Sequence, residues 1–359
     1  VYKRQTWYRR GSAYRVELTN TRGESWPVSF DRADGALDVD LGGMAVEDVD
    51  RLTVDWPIGT LSSMTLIDTP GTASVSTELS AKSRDFVSSD DDTSTPADAV
   101  IYLLRHLHAT DVSFLQAFRD QEFSTPTPVN CIAVLSRADE VAVGRLDAMR
   151  SATKIADRYA HDPRLRRLVQ TVVPVAGLLA QAATGLREVE YRQLLQLAQG
   201  PAPTVDRALL SIDRFIDTSR DDGIDLDVYQ REQLLDRLGL FGVRFAVDAI
   251  RSGQVTSTLD LAEHLRSESG LDRLRTALFG MFGARSDTLK ARSALLALQR
   301  LLDTHEVPRS LHARAERIWA GAHEFRELRL LNQLRTDELA LSDDQVDQIE
   351  RLFGSAGSG

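Results

Sequence analysis

Two apolar runs, each stopping at a turn that carries an aspartate, constrain this chain more than any other feature. Residues 64–67 lead straight into Asp68-Thr69-Pro70-Gly71, and residues 131–135 lead into Ser136-Arg137-Ala138-Asp139. Short continuous apolar runs bounded by turn signals fit strands buried on both faces. Similar runs cover 99–104, after Pro96, and 170–175, before Ala176-Gly177. Residues 13–18 alternate as a half-buried strand. Residues 52–56 and 64–67 read as a strand pair separated by Pro57-Ile58-Gly59. Helical spacing fills 111–120 and 144–159. Strand, helix and strand in this order predict right-handed crossovers and a mainly parallel α/β sheet.

Between Thr72 and Pro96 the pattern turns polar, with Asp90-Asp91-Asp92 in a row. A solvated loop with a short helix over 76–86 accounts for it, and so does a mobile switch segment. From about Tyr191 strand signals vanish. Leucines recur at helical spacing, as in Leu234, Leu235 and Leu238, or Leu295, Leu298, Leu301 and Leu302. This predicts an all-α bundle. Gly200-Pro201 breaks the array once, and Val307-Pro308 again, because the residue before a proline is pushed out of the helical region. The expected organisation is an α/β domain over 1–185, a helical stalk over 186–353 and a flexible tail over 354–359.

The strand ends carry the chemistry. Asp68 suits a magnesium-bound water, because magnesium takes hard oxygen ligands and keeps several waters. Gly71, without a side chain, lets its N–H approach a terminal phosphate, and Thr69 lies between them. Asp139 would accept two hydrogen bonds from a guanine edge, a pair adenine cannot offer. Arg137 would lie along the purine face, where a planar guanidinium stacks well. Ser136 would brace the loop, and Ala176 would offer its N–H to the guanine carbonyl. Taken singly, each motif is matched by a bland alternative: a Pro-Gly turn, a surface Arg/Asp pair, a strand ending in Ala-Gly. Their order along the chain favours the chemical reading.

A phosphate-cradling loop, Gly-x-x-x-x-Gly-Lys-Ser/Thr, does not occur in the 359 residues. In this type of fold it precedes the first strand seen here. Val1-Tyr2-Lys3-Arg4-Gln5 reads as a foreign junction scar, so the chain is expected to be cut upstream. The plain alternative is a basic stretch opening an edge strand. Thr6 is a weak candidate for a switch threonine. A chain without the loop is expected to hydrolyse nucleotide negligibly.

The net charge of −10 argues against a nucleic-acid protein. The single cysteine, Cys131, falls in a core strand, so disulfides play no part and a reducing cytosol fits. No apolar run approaches the roughly 18 residues of a spanning helix.

Together these motifs resemble the bacterial dynamin-like GTPases, most closely the mycobacterial isoniazid-inducible ones. The resemblance rests on Leu66 to Gly71, Ala97 to Arg105, Leu135 to Glu140 and Val173 to Leu179. In the helical part it rests on Leu238 to Arg244 and Leu289 to Leu295. It runs from about Trp7 to Leu352. It implies a P-loop GTPase domain, incomplete here, followed by a helical bundle stalk. It also implies GTP and Mg2+ as ligands, self-association through the GTPase domain, and hydrolysis coupled to membrane remodelling or repair. The location implied is cytoplasmic, peripheral to the inner face of the plasma membrane. The alternative is a degenerate, non-catalytic scaffold. Lipid contact would fall to 238–245 or 278–282, although close helix packing accounts for both stretches more simply.

Overall fold

The structure, a computed structural model, describes residues 5–33, 36–69, 97, 99–107, 112, 115, 131–217, 224–283, 286–305, 307–321 and 345. It forms two compact units. The first comprises 1–98, 120–122 and 293–308, and the second 99–119, 123–292 and 309–359. The expected switch segment, with its helix over 76–86, lies outside the described residues. So does the helix expected over 111–120, apart from Val112 and Leu115.

The first unit contains β1 (Gln5–Arg10), β2 (Arg15–Asn20), β3 (Ser25–Val28), β4 (Phe30–Ala33), β5 (Ala36–Val39), β6 (Val49–Trp56) and β7 (Leu66–Asp68). Five of these strands form a mixed sheet in the order β3-β2-β6-β1-β7, and β4 and β5 form a separate antiparallel pair. Alternation in β2 and β6 sends one side chain in two to the same face. The register sets Val16 opposite Val54 and Leu18 opposite Leu52, and all four are buried. Tyr8, Trp26, Val28 and Trp56 close over them.

Two expectations are corrected here. β6 and β7 are not neighbours, because β1 lies between them, parallel to β6 and antiparallel to β7. Gln5 opens β1, so the strand is interior and not the edge strand of the plainer reading. The sheet is also mixed: among its pairs only β1 with β6 is parallel.

The second unit holds the parallel sheet that the sequence predicts, built from β8 (Val100–Leu104), β9 (Cys131–Ser136) and β10 (Val172–Val175), with β9 in the centre. A central parallel strand is covered on both faces, which is why Cys131 to Leu135 is apolar without interruption. Burial pushes the Cys131 thiol up to about 12, so it is an inert core group.

Between β9 and β10, and after β10, the described chain is mainly helical. It runs through α1 (Ala148–Ala160), α2 (Pro163–Arg166), α3 (Gly177–Thr184), α4 (Glu188–Gln199), α5 (Ala202–Ala208) and α6 (Ile212–Ile216). Then follow α7 (Val228–Arg251), α8 (Thr258–Glu268), α9 (Leu271–Leu278), a π-helical turn over Phe279–Gly283, α10 (Ser286–Thr304) and α11 (Arg309–Gly321). The breaks at Gly200-Pro201 and Val307-Pro308 fall between α4 and α5 and between α10 and α11. Sequence marks other ends too: Asp227 and Gln230 form a capping box at the start of α7, and Ser257 caps α8.

Strand alternation divides the packing. Cys131, Ala133 and Leu135 face a large core shared with α1, α3, α4, α7 and α8. Ile132 and Val134, with Val173 and Val175, face Leu274, Ala277, Leu278, Met281 and Phe282. Leu238, Phe241 and Val243 are buried in α7. The first stretch considered for lipid contact is thus mainly a packing surface, whereas in the second Leu278, Met281 and Phe282 pack against the sheet and Phe279 is exposed. Among the described residues no helix is long and apolar enough to cross a membrane.

Candidate functional site

The residues singled out in the sequence fall on both units. In the first, Asp68 ends β7 and pairs across the ladder with Thr6 of β1. Directly opposed residues of an antiparallel pair share a face, so both oxygen-bearing side chains stand on one side of the sheet end. Although the residue is exposed overall, neighbouring atoms partly desolvate its carboxyl. That raises its pKa, against the lowering effect of a backbone hydrogen bond from Thr69. Pro70 and Gly71 lie outside the described residues.

In the second unit, β9 delivers the other group. Ser136 Oγ donates to the Leu104 carbonyl at 3.1 Å, tying the ends of β8 and β9 together. Arg137 takes a left-handed conformation (φ 52°), which turns the chain sharply out of the sheet. Its guanidinium is exposed and donates to Glu140 Oε1 at 3.1 Å. The other Glu140 oxygen meets Arg105, just beyond β8. Glu140 therefore links Arg137 to Arg105, and the Arg137 side chain stays largely exposed. Ala138 is fully buried and anchors the turn.

Asp139 is half-buried. Burial raises its carboxyl pKa, and the neighbouring Glu140 adds to the rise. A backbone hydrogen bond and Arg137 pull the other way. A folded pKa above the ordinary 3.8 is a contribution to stability that is full below that value and lost as pH rises through the folded one. Asp139→Asn cannot ionise. It is therefore expected to gain stability over the parent as pH rises through this window, with no gain at more acid pH. Urea unfolding of both proteins over that range checks this. A gain confined to acid pH would mean that burial does not govern the group. Perturbed carboxyls of this kind concentrate at functional sites.

β10 lies beside β9 with Val175 opposite Ser136, so Arg137 and Ala176 leave the sheet side by side at its carboxyl edge. Ligands of open α/β sheets bind at such edges. Ala176 itself is fully buried, and its N–H donates to the Ser269 carbonyl at 2.9 Å. The role given to its amide in the sequence reading is therefore corrected: that donor is already engaged. The next residue, Gly177, is exposed and opens α3, and the first turn of a helix leaves its amides without intrahelical partners. In the sequence reading Ala176-Gly177 marks the strand end, but the glycine that opens the helix has no role there. Glu140 and Arg105 were also missed, because only the folded loop brings them to Arg137.

Among the described residues no group of three or more His, Cys, Asp or Glu forms a metal cage. A single carboxylate with a hydroxyl opposite it suits a cation that keeps its waters and takes its other ligands from phosphate, as magnesium does.

No family model matches the chain. It is 37% identical over 355 residues to the isoniazid-induced protein IniC of Mycobacterium tuberculosis, in both strain CDC 1551 / Oshkosh and strain H37Rv. The match covers 98% of this chain and 71% of that protein, and so includes both units.

Proposed function

The chain belongs to the dynamin-like family of the isoniazid-induced protein IniC, and we propose that it binds GTP with Mg2+ as part of a GTPase that moves its helical elements. The observation that carries this reading is Asp139, a partly desolvated carboxylate at the carboxyl edge of a parallel sheet. Asp139 would accept hydrogen bonds from the N1–H and the 2-amino group of guanine. The partly buried setting makes an unmatched base costly, which gives selectivity. Arg137, held by Glu140, would cover the purine face, and the Gly177 amide would donate to the guanine carbonyl.

At the phosphate end, Asp68 would hold a water of the magnesium shell with Thr6 opposite it, and Thr69 and Gly71 would follow the terminal phosphate. Magnesium would neutralise charge on the phosphates. The protein's part is to orient and to respond: loss of the terminal phosphate would free the segment after Gly71. We assign turnover to the intact protein. The 359-residue chain has no Gly-Lys-Ser/Thr, and positioning by that loop dominates phosphoryl transfer. The second reading is a scaffold that binds without turnover. Self-association, peripheral contact with the inner face of the plasma membrane and membrane remodelling belong to the proposal through the family alone.

Asp139→Asn in the protein expressed from its complete reading frame tests the reading. An amide reverses one donor–acceptor match, so preference should pass from GTP to XTP by about 100-fold. Equal affinity of parent and variant for both nucleotides would remove the guanine site. GTP binding without turnover in the parent would favour the scaffold.

A further inference from the structure

Beyond Asp139 the chain does something unusual. Ala142, Val143 and Gly144 take left-handed conformations in succession, with φ of 53°, 62° and 63°. A β-branched residue there is a genuine outlier, and Val143 is 85% exposed, so its side chain gains no burial in return. Such conformations persist only where the surroundings over-determine them.

Arg244, on α7, supplies the restraint. Its Nη1 donates to the carbonyls of Val143 (3.0 Å) and Gly144 (2.6 Å). Its Nε and Nη2 donate to Leu209 (2.7 Å) and Leu210 (3.0 Å), between α5 and α6. Burial lowers its pKa, and its hydrogen bonds among the described residues all end on main-chain carbonyls. A planar fork with five donors suits this task, and an ammonium does not. The turn also folds back on the aspartate: a Cβ on Gly144 would stand 3.4 Å from the Asp139 carbonyl and 3.7 Å from Phe241 Cβ of α7.

The same helix supports the neighbouring strand end. α7 is broken at Gly239 (φ 66°), where a Cβ would lie 3.3 Å from Leu178. At Gly242 a Cβ would lie 3.1 Å from Leu179. Leu178 and Leu179 follow Gly177 in α3. Both edges of the candidate base pocket therefore rest on α7 around its break.

We propose that Arg244 is a positioning residue: it holds the left-handed turn after Asp139 and ties it to α7, so that the setting of Asp139 and the setting of that helix are coupled. The proposal rests on the guanine reading above. It adds a route from the base pocket to the helical elements that bypasses the phosphate end.

Arg244→Gln and Arg244→Lys, in the protein from its complete reading frame, test it through base selectivity. ITP lacks the 2-amino group, so the ratio of GTP to ITP affinity reports how well Asp139 is aimed. We expect that ratio to fall about 10-fold in both variants, more in Arg244→Gln, while the ratio of GTP to GDP affinity stays unchanged. Hydrogen exchange without nucleotide should rise over 138–147 in both. General destabilisation would lower the melting temperature and leave the GTP/ITP ratio alone. A parent that prefers GTP, with variants that keep the parental ratio, overturns the role of Arg244 and spares the guanine reading. A parent that does not separate GTP from ITP overturns the guanine reading and the proposal with it. Should Arg244→Gln fail to fold, the ratio in Arg244→Lys decides.

Discussion

Gly270→Ala is expected to destabilise the second unit by about 3–5 kcal/mol, one of the largest losses available to a single methyl group. Gly270 joins α8 to α9 in a left-handed conformation (φ 77°), which alone penalises alanine by about 1 kcal/mol. The larger part is steric. A Cβ would fall on the Pro174 carbonyl oxygen, far inside contact distance, and 3.3 Å from the Pro174 carbonyl carbon. Both belong to β10, a backbone held in the parallel sheet that cannot yield. The turn must move instead. With it would go the hydrogen bond from Ala176 N–H to Ser269 and the seating of Leu274 and Leu278 on Val173 and Val175. Gly253→Ala is the control. It has a similar φ of 73° but nothing within 4 Å of its Cβ, so it should lose only the conformational part. Urea unfolding of the two variants separates strain from collision. Equal losses would show that the α8–α9 turn is not pressed against β10.

Arg231→Met should cost a similar amount, about 3–5 kcal/mol, for a different reason. Arg231 is 1% exposed and is among the largest fully buried side chains. Its Nε donates to the Leu226 carbonyl at 2.9 Å, Nη1 to Phe215 at 2.9 Å and Nη2 to Ile224 at 3.2 Å. The guanidinium also lies 5.7 Å from the centre of the Phe215 ring. These bonds fasten the end of α6 to the lead-in of α7. Methionine keeps much of the stem and the packing, yet takes the guanidinium donor from the buried Leu226 and Phe215 carbonyls. The Ile224 carbonyl still accepts from Leu226 N–H, and each unpaired buried group costs about 1–3 kcal/mol. Denaturant midpoints read the loss, and protease cleavage near 215–226 should accelerate. A variant within about 1 kcal/mol of the parent would mean that those carbonyls find other donors.

What could be read from the sequence follows a physical line. β9 and β10 were legible because a parallel strand covered on both faces must be apolar throughout, and β8 was legible from its apolar run although Leu103 in it is exposed. The helix breaks were legible because proline and glycine act locally. β1 was not: Trp7 and Tyr8 are flanked by Gln5, Thr6, Arg9 and Arg10, and its place between β6 and β7 is decided by pairing with distant strands. Pro27 in β3 and Asp31 and Arg32 in β4 hid those strands in the same way. At the candidate site, Asp139 and Arg137 were legible from their place after an apolar run. That the Ala176 amide is engaged was not, because what occupies it is a carbonyl at Ser269, far along the chain. Arg244 was unreadable for a related reason: main-chain carbonyls carry no sequence signature, so nothing announces the group that will bind them.

The lone thiol in the central strand gives this protein a clock of its own. Cys131 stands in the large core on one face of the parallel sheet, and burial holds it protonated far above neutral pH. A thiol reagent can meet it only in molecules whose sheet has parted. The pace of its labelling therefore counts openings of β9, at the heart of the second unit, with no probe to be introduced. Any event that loosens or tightens that unit, whether a ligand at the sheet's edge or a shift of the helices packed on its faces, is written into the reactivity of this one sulfur atom.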